Sequence, residues 1–141
     1  DGKEKDTLTN IRDSNQFVVN IVSESFAEQM VMCSTDFDSN VDEFEISGLH
    51  AKSSDKVKPP RLLESKISFE CELNQIVEIG KENAGSGFVV IGTIVLFHID
   101  DDVYKDGHIL LDKLEPLGRL AGNKYTRPKD ILEISRKVKP E

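Results

Sequence analysis

ISFECELNQIVEIGKENAGSGFVVIGTIVLFHI, residues 67–99, sets the architecture of this chain. In its first arm, Ile67 to Ile79, apolar side chains occupy odd positions and polar ones lie between them, which is typical of a strand with one buried face. The phase breaks at Asn74–Gln75, which predicts a β-bulge there. Lys81–Gly87 has the composition of a turn, so we predict that the two arms pair as an antiparallel hairpin.

The second arm, Phe88 to Ile99, is apolar almost throughout. A strand of this kind is covered on both of its faces. Gly92 lies near its middle and marks either a kink or a close approach of another group to the backbone. We therefore expect the hairpin to provide the centre of the core, through Phe69, Cys71, Val90 and Ile94.

The remaining segments mix short helices with short strands. A helix begins near Asp6 or Thr7, either of which could cap it, and ends by Asn15. The other predicted elements are a strand at 16–22, a helix with the apolar stripe Phe26, Met30 and Cys33, a helical turn at 41–47 ended by Gly48, a strand at 49–54, an extended connector at 56–61, and a final strand or extended piece at 131–135. This order indicates an α+β, mainly β, single domain over residues 1–141, built as an antiparallel sheet or barrel with inserted short helices.

Composition limits the classes of function. The formal net charge of −8 argues against non-specific nucleic-acid binding, and no strand interleaves aromatic with basic residues as a nucleic-acid-binding barrel would. No apolar run is long enough to span a membrane and no signal-peptide pattern occurs, so we expect a cytoplasmic protein. Cys33 and Cys71 lie at apolar positions far apart in the sequence, which favours buried free thiols in a reducing compartment over a disulfide.

One group of polar residues stands at the predicted start of the first helix, and it comprises Lys5, Asp6, Thr7 and Asn10. Unpaired backbone N–H groups and the positive end of the helix dipole favour a phosphate at such a place, where Lys5 adds a charge and the Thr7 hydroxyl adds a donor. Asp6 would repel an anion, so its expected role is to cap the helix or to orient Lys5. From the spacing alone, an ordinary capped surface helix explains the same residues.

Two further stretches carry candidate chemistry. His98-x-Asp100-Asp101-Asp102 has the residue types of a metal site, but a strand that runs into an acidic turn has the same composition, so we predict no metal site. In Pro116–Tyr125, the glycines let the backbone approach a ligand, with Arg119 and Tyr125 as wall residues, or they form a tight loop against the end of a barrel. No Gly-x-Ser-x-Gly, His-Glu-x-x-His or Walker motif identifies a catalytic residue, which suits an enzyme whose cofactor carries the chemistry.

Six motifs follow one another along the chain: KDTLTNI at 5–11, FVVNIV at 17–22, DEFEISGL at 42–49, VKPPRLLES at 57–65, ECEL at 70–73 and PLGRLAGNKYTR at 116–127. In this order they resemble the flavin reductase-like, FMN-binding split-barrel family, which includes flavoredoxin. Members of that family usually begin with an Arg-Pro-Ile-Ala-type and an Asn-x-Ala-Pro-Phe-Ser-type segment that wrap the flavin ring, and this sequence starts after both. On this resemblance we expect the chain to correspond to the C-terminal two-thirds of the family's domain.

The resemblance implies a split β-barrel that binds FMN, with Lys5 and Thr7 beside the phosphate. Asp6, Asn10, Arg119 and Tyr125 are the further candidate cofactor-binding residues. It also implies a homodimeric oxidoreductase that moves electrons between a reduced nicotinamide, NAD(P)H, and flavin, or between flavin and an acceptor. The alternative is a non-catalytic flavin-binding or interaction module with the same fold. Neither a nucleic acid nor a membrane is an expected partner.

Overall fold

The centre of the fold is an antiparallel three-stranded sheet. A computed structural model of the chain describes residues 4–80 and 87–136. Strand β4 (Ile67–Ile79) lies between β1 (Gln16–Asn20) and β5 (Gly87–Ile99) and pairs antiparallel with both. The predicted hairpin of two long arms is thus confirmed, while residues 81–86 of the predicted turn lie outside the described residues.

Two β-bulges and one close contact shape this sheet. Asn74 is an extra residue of β4, as the break in the alternation predicts, and Val95 is an extra residue of β5, which the sequence does not predict. Each extra residue increases the local twist. At Gly92, the ring of Phe17 on β1 fills the place where a Cβ atom would stand. Gly92 therefore marks a close approach, which is one of its two predicted explanations.

Short elements complete the fold. The helices are α1 (Asp6–Ser14), α2 (Ala27–Met32), α3 (Glu43–Ser47) and α4 (Leu111–Leu114), and 3-10 turns lie at Glu24–Phe26 and Asp101–Val103. Three two-stranded antiparallel ribbons pair β2 (Ala51–Lys52) with β3 (Arg61–Leu62), β6 (Tyr104–Lys105) with β7 (His108–Ile109), and β8 (Gly118–Arg119) with β9 (Tyr125–Thr126). The fold is mainly β with short helices, as predicted, although the sheets within the described residues do not close into a barrel. Among the helices described, none has the length and apolar character needed to cross a membrane.

The sequence predicts some ends of helices and strands correctly and others not. Helix α3 ends at Gly48, which has a φ of 70°, as predicted. Helix α1 begins at Asp6, so its N-cap is Lys5 rather than Asp6 or Thr7, and no side chain caps it. Residues 131–135, predicted as a strand or an extended piece, pair with no described strand and form no regular element.

Apolar packing is concentrated where β4 begins. Ile67, Val103 and Leu114 form a buried cluster, and Phe69 packs against it. Cys71 is also buried, and its burial raises the pKa of the thiol. Both cysteines of the chain are free, as predicted, but only Cys71 is buried, whereas Cys33 is half-buried. The first arm of the hairpin therefore supplies core residues, as its alternation indicates.

Strand β5 differs from the prediction, because it is not covered on both faces. The side chain of Ile94, a predicted core residue, is 41% exposed, and Phe97 is 56% exposed. Val90 is half-buried. Strand side chains project from the two faces of a sheet, and among the described elements only β4, its neighbour in the sheet, contacts β5 extensively, so no packed layer covers these faces. An apolar strand sequence thus predicts the strand correctly but not its burial.

The polar face of β4 is buried too, although its sequence predicts a wet face. Ser68 and Glu70 are both fully buried. The loop between β2 and β3 approaches this face, where the Glu70 carboxylate accepts hydrogen bonds of 2.6–3.1 Å from the amides of residues 55–57. The Nε2 atom of His98, on β5, lies 2.5 Å from the same carboxylate. Glu70 therefore connects the loop to two strands of the central sheet.

Hydrogen bonds keep this buried carboxylate ionised. Burial by itself raises the pKa of Glu70, but the bonds from the Asp55 amide, from His98 and from the next two amides outweigh it and lower the pKa to about 2. Because an ionised carboxylate can only accept, the Nε2 atom of His98 carries the proton of their hydrogen bond. The centre of the sheet thus holds a fixed negative charge.

Replacement of Phe69 by alanine should destabilise the fold. Phe69 packs on the buried cluster and meets Phe97 edge-on, with ring centroids 5.2 Å apart. We expect the free energy of unfolding to fall by about 3 kcal/mol, the lower end of the range for a core phenylalanine, because the ring is half-buried. Urea unfolding measures this loss, with the exposed Phe37→Ala as the control. Equal, small effects of the two substitutions would contradict the core assignment of Phe69.

Replacement of Glu70 by glutamine should destabilise the protein in a pH-dependent manner. An amide cannot satisfy all four donors of the site, so we expect a loss of about 2–3 kcal/mol at neutral pH. The folded pKa of about 2 lies below the ordinary value of 4.5. The stabilisation by ionised Glu70 is therefore fully present above pH 4.5 and is lost as the pH falls towards 2.

The measurement is urea unfolding of the parent and the Glu70→Gln variant at several pH values. Glu72→Gln is the matched control, because Glu72 lies two residues further along β4, is exposed, and loses the same charge. The difference between parent and Glu70→Gln should shrink between pH 4.5 and 2. A difference that stays constant over this interval would show that Glu70 acts through its shape alone.

Candidate functional site

The predicted phosphate site lies on the exposed first turn of α1. The Lys5 side chain is 71% exposed and forms an ion pair with Asp36 in the loop after α2. The hydrogen bond and the charge of Asp36 raise the pKa of Lys5, so the ammonium group remains charged at neutral pH. The sequence gives no sign of Asp36 as a partner, since 31 residues separate the two.

The backbone at the start of α1 offers donors as well. The Lys5 carbonyl accepts hydrogen bonds from the amides of Leu8 and Thr9. The amides of Asp6 and Thr7 have no partner among the described residues, as is usual in the first turn of a helix. Thr7 and Asn10 are both exposed and, three residues apart, lie on one face of the helix. A cation, two amides and a hydroxyl are thus brought together at this helix end.

Arg119 and Tyr125 form a second cluster. They are directly opposite each other on β8 and β9, so their side chains point to the same face of the ribbon. The Arg119 guanidinium lies 4.8 Å from the centroid of the Tyr125 ring and donates a hydrogen bond to its hydroxyl. Within the described part of the chain, this cluster shares no hydrogen bond with the cluster on α1. The structure thus pairs the predicted residues into two groups rather than one.

Two cavities lie beside the second cluster, and both are lined by Glu24 and Arg127. These residues form an ion pair of 2.5 Å. One cavity, of about 310 Å³, has mixed walls, in which Leu111 and Ile131 stand beside charged residues such as Asp112. The other is more open and includes Tyr125 in its wall, together with side chains of α2. Arg119, the other predicted wall residue, lines neither of these cavities, and the sequence gave no reason to select Glu24.

The residue types of a metal site meet at His98, but with other partners than the sequence suggests. The Nε2 atom of His98 lies 2.5 Å from Glu70 and 3.9 Å from Asp55, whereas Asp102 pairs with Lys66. Both oxygens of Glu70 already accept two hydrogen bonds each. A metal ion would have to displace these donors, so the arrangement is explained by its role in holding the loop.

Comparison with known proteins places this geometry in a family. Residues 2–117 match the model of the flavin reductase like domain. An uncharacterized protein of Aquifex aeolicus is 36% identical over 124 residues, which cover 87% of this chain and 61% of that protein. The match of the family model extends from the start of α1 to the residue before β8. It therefore includes the Lys5 cluster and stops short of the Arg119 cluster.

Solved structures share the fold. Nitrilotriacetate monooxygenase component B from Bacillus cereus superposes with a TM-score of 0.87 and is 29% identical. A protein of Shewanella frigidimarina described as a flavin reductase with a split barrel domain gives a TM-score of 0.82 at 26% identity. Each comparison covers 94% of this chain and 66% of the other chain, so this chain spans slightly less than two-thirds of either protein. The chain belongs to the family of flavin reductase-like domains.

Proposed function

We propose that the protein is an FMN-binding oxidoreductase that transfers electrons between a reduced nicotinamide, flavin and an acceptor. The observation that carries this proposal is the match of residues 2–117 to the flavin reductase like domain. When bound, FMN would supply the redox chemistry, since no side chain identified above is a nucleophile or a general base suited to this task. The part of this chain would be to hold and orient the cofactor.

The α1 cluster fits the phosphate of FMN. The charged ammonium of Lys5, the unpaired amides of Asp6 and Thr7 and the Thr7 hydroxyl are the donors that a phosphate monoester needs at a helix start. Asp36 competes with the phosphate for the Lys5 ammonium group, because the two side chains already form an ion pair. Binding of the phosphate would therefore require Lys5 to exchange Asp36 for the ligand, which limits the gain from this contact.

The other candidate residues have different proposed roles. Asn10 is exposed on the same helix face as Thr7 and would add an amide donor beside the phosphate. The Asp6 carboxylate would not contact an anion, so only its backbone amide would take part. Arg119 and Tyr125 present a stacked cation and ring, which suits contact with a planar part of a nucleotide. They lie beyond the family match, so they are proposed on their own geometry.

The partners and the oligomeric state are proposed from the structural relatives and from the exposed surface. A structural relative is named as component B of a monooxygenase, which fits a protein that passes electrons to a separate acceptor. We propose a homodimer with apolar surface from the sheet at its interface, since β5 exposes several apolar side chains. A closed split barrel and a cytoplasmic location, the latter consistent with the two free thiols, belong to the same proposal.

A purified sample of the protein should separate catalysis from mere binding. We expect bound FMN to make it yellow, and anaerobic addition of NADH or NADPH to bleach its visible absorption. Stable yellow colour after both additions would support the alternative, a non-catalytic flavin-binding module. A colourless sample that takes up no FMN would contradict both.

Replacement of Lys5 by alanine should weaken FMN binding selectively. The lost bond is a charge-assisted one, so we expect a decrease of about 1–3 kcal/mol in binding free energy. Riboflavin, which lacks the phosphate, should bind the parent and the variant equally. Fluorescence titration with both ligands measures the effect, and Lys105→Ala is a control at an exposed lysine of another element.

The two ligands together isolate the site. A folding defect would weaken FMN and riboflavin alike, whereas loss of a phosphate contact weakens FMN alone. Asp36→Asn tests the competition, because it releases Lys5 and should strengthen FMN binding. Unchanged FMN affinity in Lys5→Ala would mean that Lys5 is an ordinary surface lysine near a helix end.

A further inference from the structure

A compact basic loop stands out in an acidic chain. Lys52, Lys56, Lys58 and Arg61 lie within ten residues that contain one acid, Asp55, whereas the whole chain has a net charge of −8. All three lysines are exposed. None of the four cations forms an ion pair with a described acidic residue. Asp55 and the ionised Glu70 beneath the loop offset two of these four charges, so the loop keeps an excess of positive charge.

The geometry of the loop holds these cations close together. Lys52 and Arg61 are directly opposite each other in the β2–β3 ribbon, an arrangement that is unfavourable for like charges. The chain between them is closed by a hydrogen bond of 2.6 Å from the Ser54 hydroxyl to the Pro59 carbonyl. Lys56 is four residues from Lys52, so their Cα atoms are at most about 14 Å apart. This span is close to the screening length of about 10 Å at moderate salt, so the charges act together.

The loop is fixed to the sheet rather than free. Glu70 binds the amides of residues 55–57, and the Gln16 side chain accepts a bond of 2.9 Å from the Lys58 amide. The carboxylate of Asp55 lies 3.9 Å from His98, on the side of the sheet. Two consecutive prolines, Pro59 and Pro60, further limit the backbone. The loop thus presents its lysines from a rigid base.

The same hydrogen bonds decide which kind of anion fits. A compact phosphate site uses backbone amides, but the amides of residues 55–58 are all turned inward to Glu70 and Gln16. Only long, exposed side chains remain for a ligand. Such charges act best over distance on an extended surface of opposite sign, as in weak electron-transfer encounters between proteins. An acidic protein face meets this requirement better than a single phosphate does.

We propose that the loop from Lys52 to Arg61 is a docking surface for an acidic face of a partner protein. The surface itself is inferred from the charge and geometry of the loop. Its use in delivering electrons to an acceptor rests on the proposed function. The acids of the partner would meet cations that have no ion-pair partner among the described residues, so that docking would need no internal ion pair to break.

The test uses a fluorescein-labelled oligoglutamate peptide as the probe and fluorescence anisotropy as the measurement, at about 20 mM salt where screening is weak. The variant Lys52→Ala/Lys56→Ala/Lys58→Ala should bind the peptide about tenfold more weakly than the parent, and added salt should weaken parent binding. The matched control is Lys105→Ala/Lys124→Ala/Lys129→Ala, which removes the same charge from other exposed positions. The control should stay within about twofold of the parent.

Several outcomes would overturn the proposal. These are no binding by the parent, equal losses in the two triple variants, or a greater affinity of the loop for a DNA duplex or for tripolyphosphate than for the peptide. Circular dichroism checks that each variant is folded. If the triple variant does not fold, the single variant Lys56→Ala, in the middle of the loop, should still weaken peptide binding. FMN titration of the same samples separates the two proposals. If the protein binds FMN but not the peptide, the docking surface is contradicted and the proposed function stands. If it binds the peptide but not FMN, the proposed function is contradicted and the docking surface stands.

Discussion

The ionised carboxylate of Glu70 is the interaction on which the arrangement of this fold depends. Transfer of a carboxylate from water to a protein interior is unfavourable unless hydrogen bonds replace its hydration. Three consecutive amides of the loop between β2 and β3, together with His98, replace it here. As a result β4 is buried on both sides near its start, with apolar residues against the core and polar residues against the loop.

The orientation of backbone amides then distinguishes two places on the molecule that present lysine side chains. At the loop, the amides point inward to Glu70 and Gln16, and the cations that solvent meets are side chains, among which Asp55 is also exposed. At the start of α1, the first amides remain unpaired among the described residues and stand beside Lys5. Unpaired amides favour a compact anion, whereas long side chains favour an extended acidic surface. The presence of lysine side chains therefore does not by itself determine which ligand a place favours.

The family match covers some of the candidate sites and not others. The family match covers α1 and the β2–β3 loop, while the ribbon that carries Arg119 and Tyr125 follows after residue 117. That ribbon nevertheless borders one of the two cavities at the Glu24–Arg127 ion pair, through Tyr125 and Thr126. The fold is shared with solved flavin reductase-like proteins over 94% of this chain. The apolar face of β5, which is exposed in this chain, lies in the same shared region.

The amino-acid sequence alone determined the features that arise from neighbouring residues. The alternation from Ile67 to Ile79, the bulge at Asn74 and the helix end at Gly48 follow from local backbone and side-chain preferences. Burial of Glu70, exposure of Ile94 and the pairing of Lys5 with Asp36 were decided by the tertiary structure. Each depends on which distant segment covers a surface, and periodicity within a strand does not contain that information.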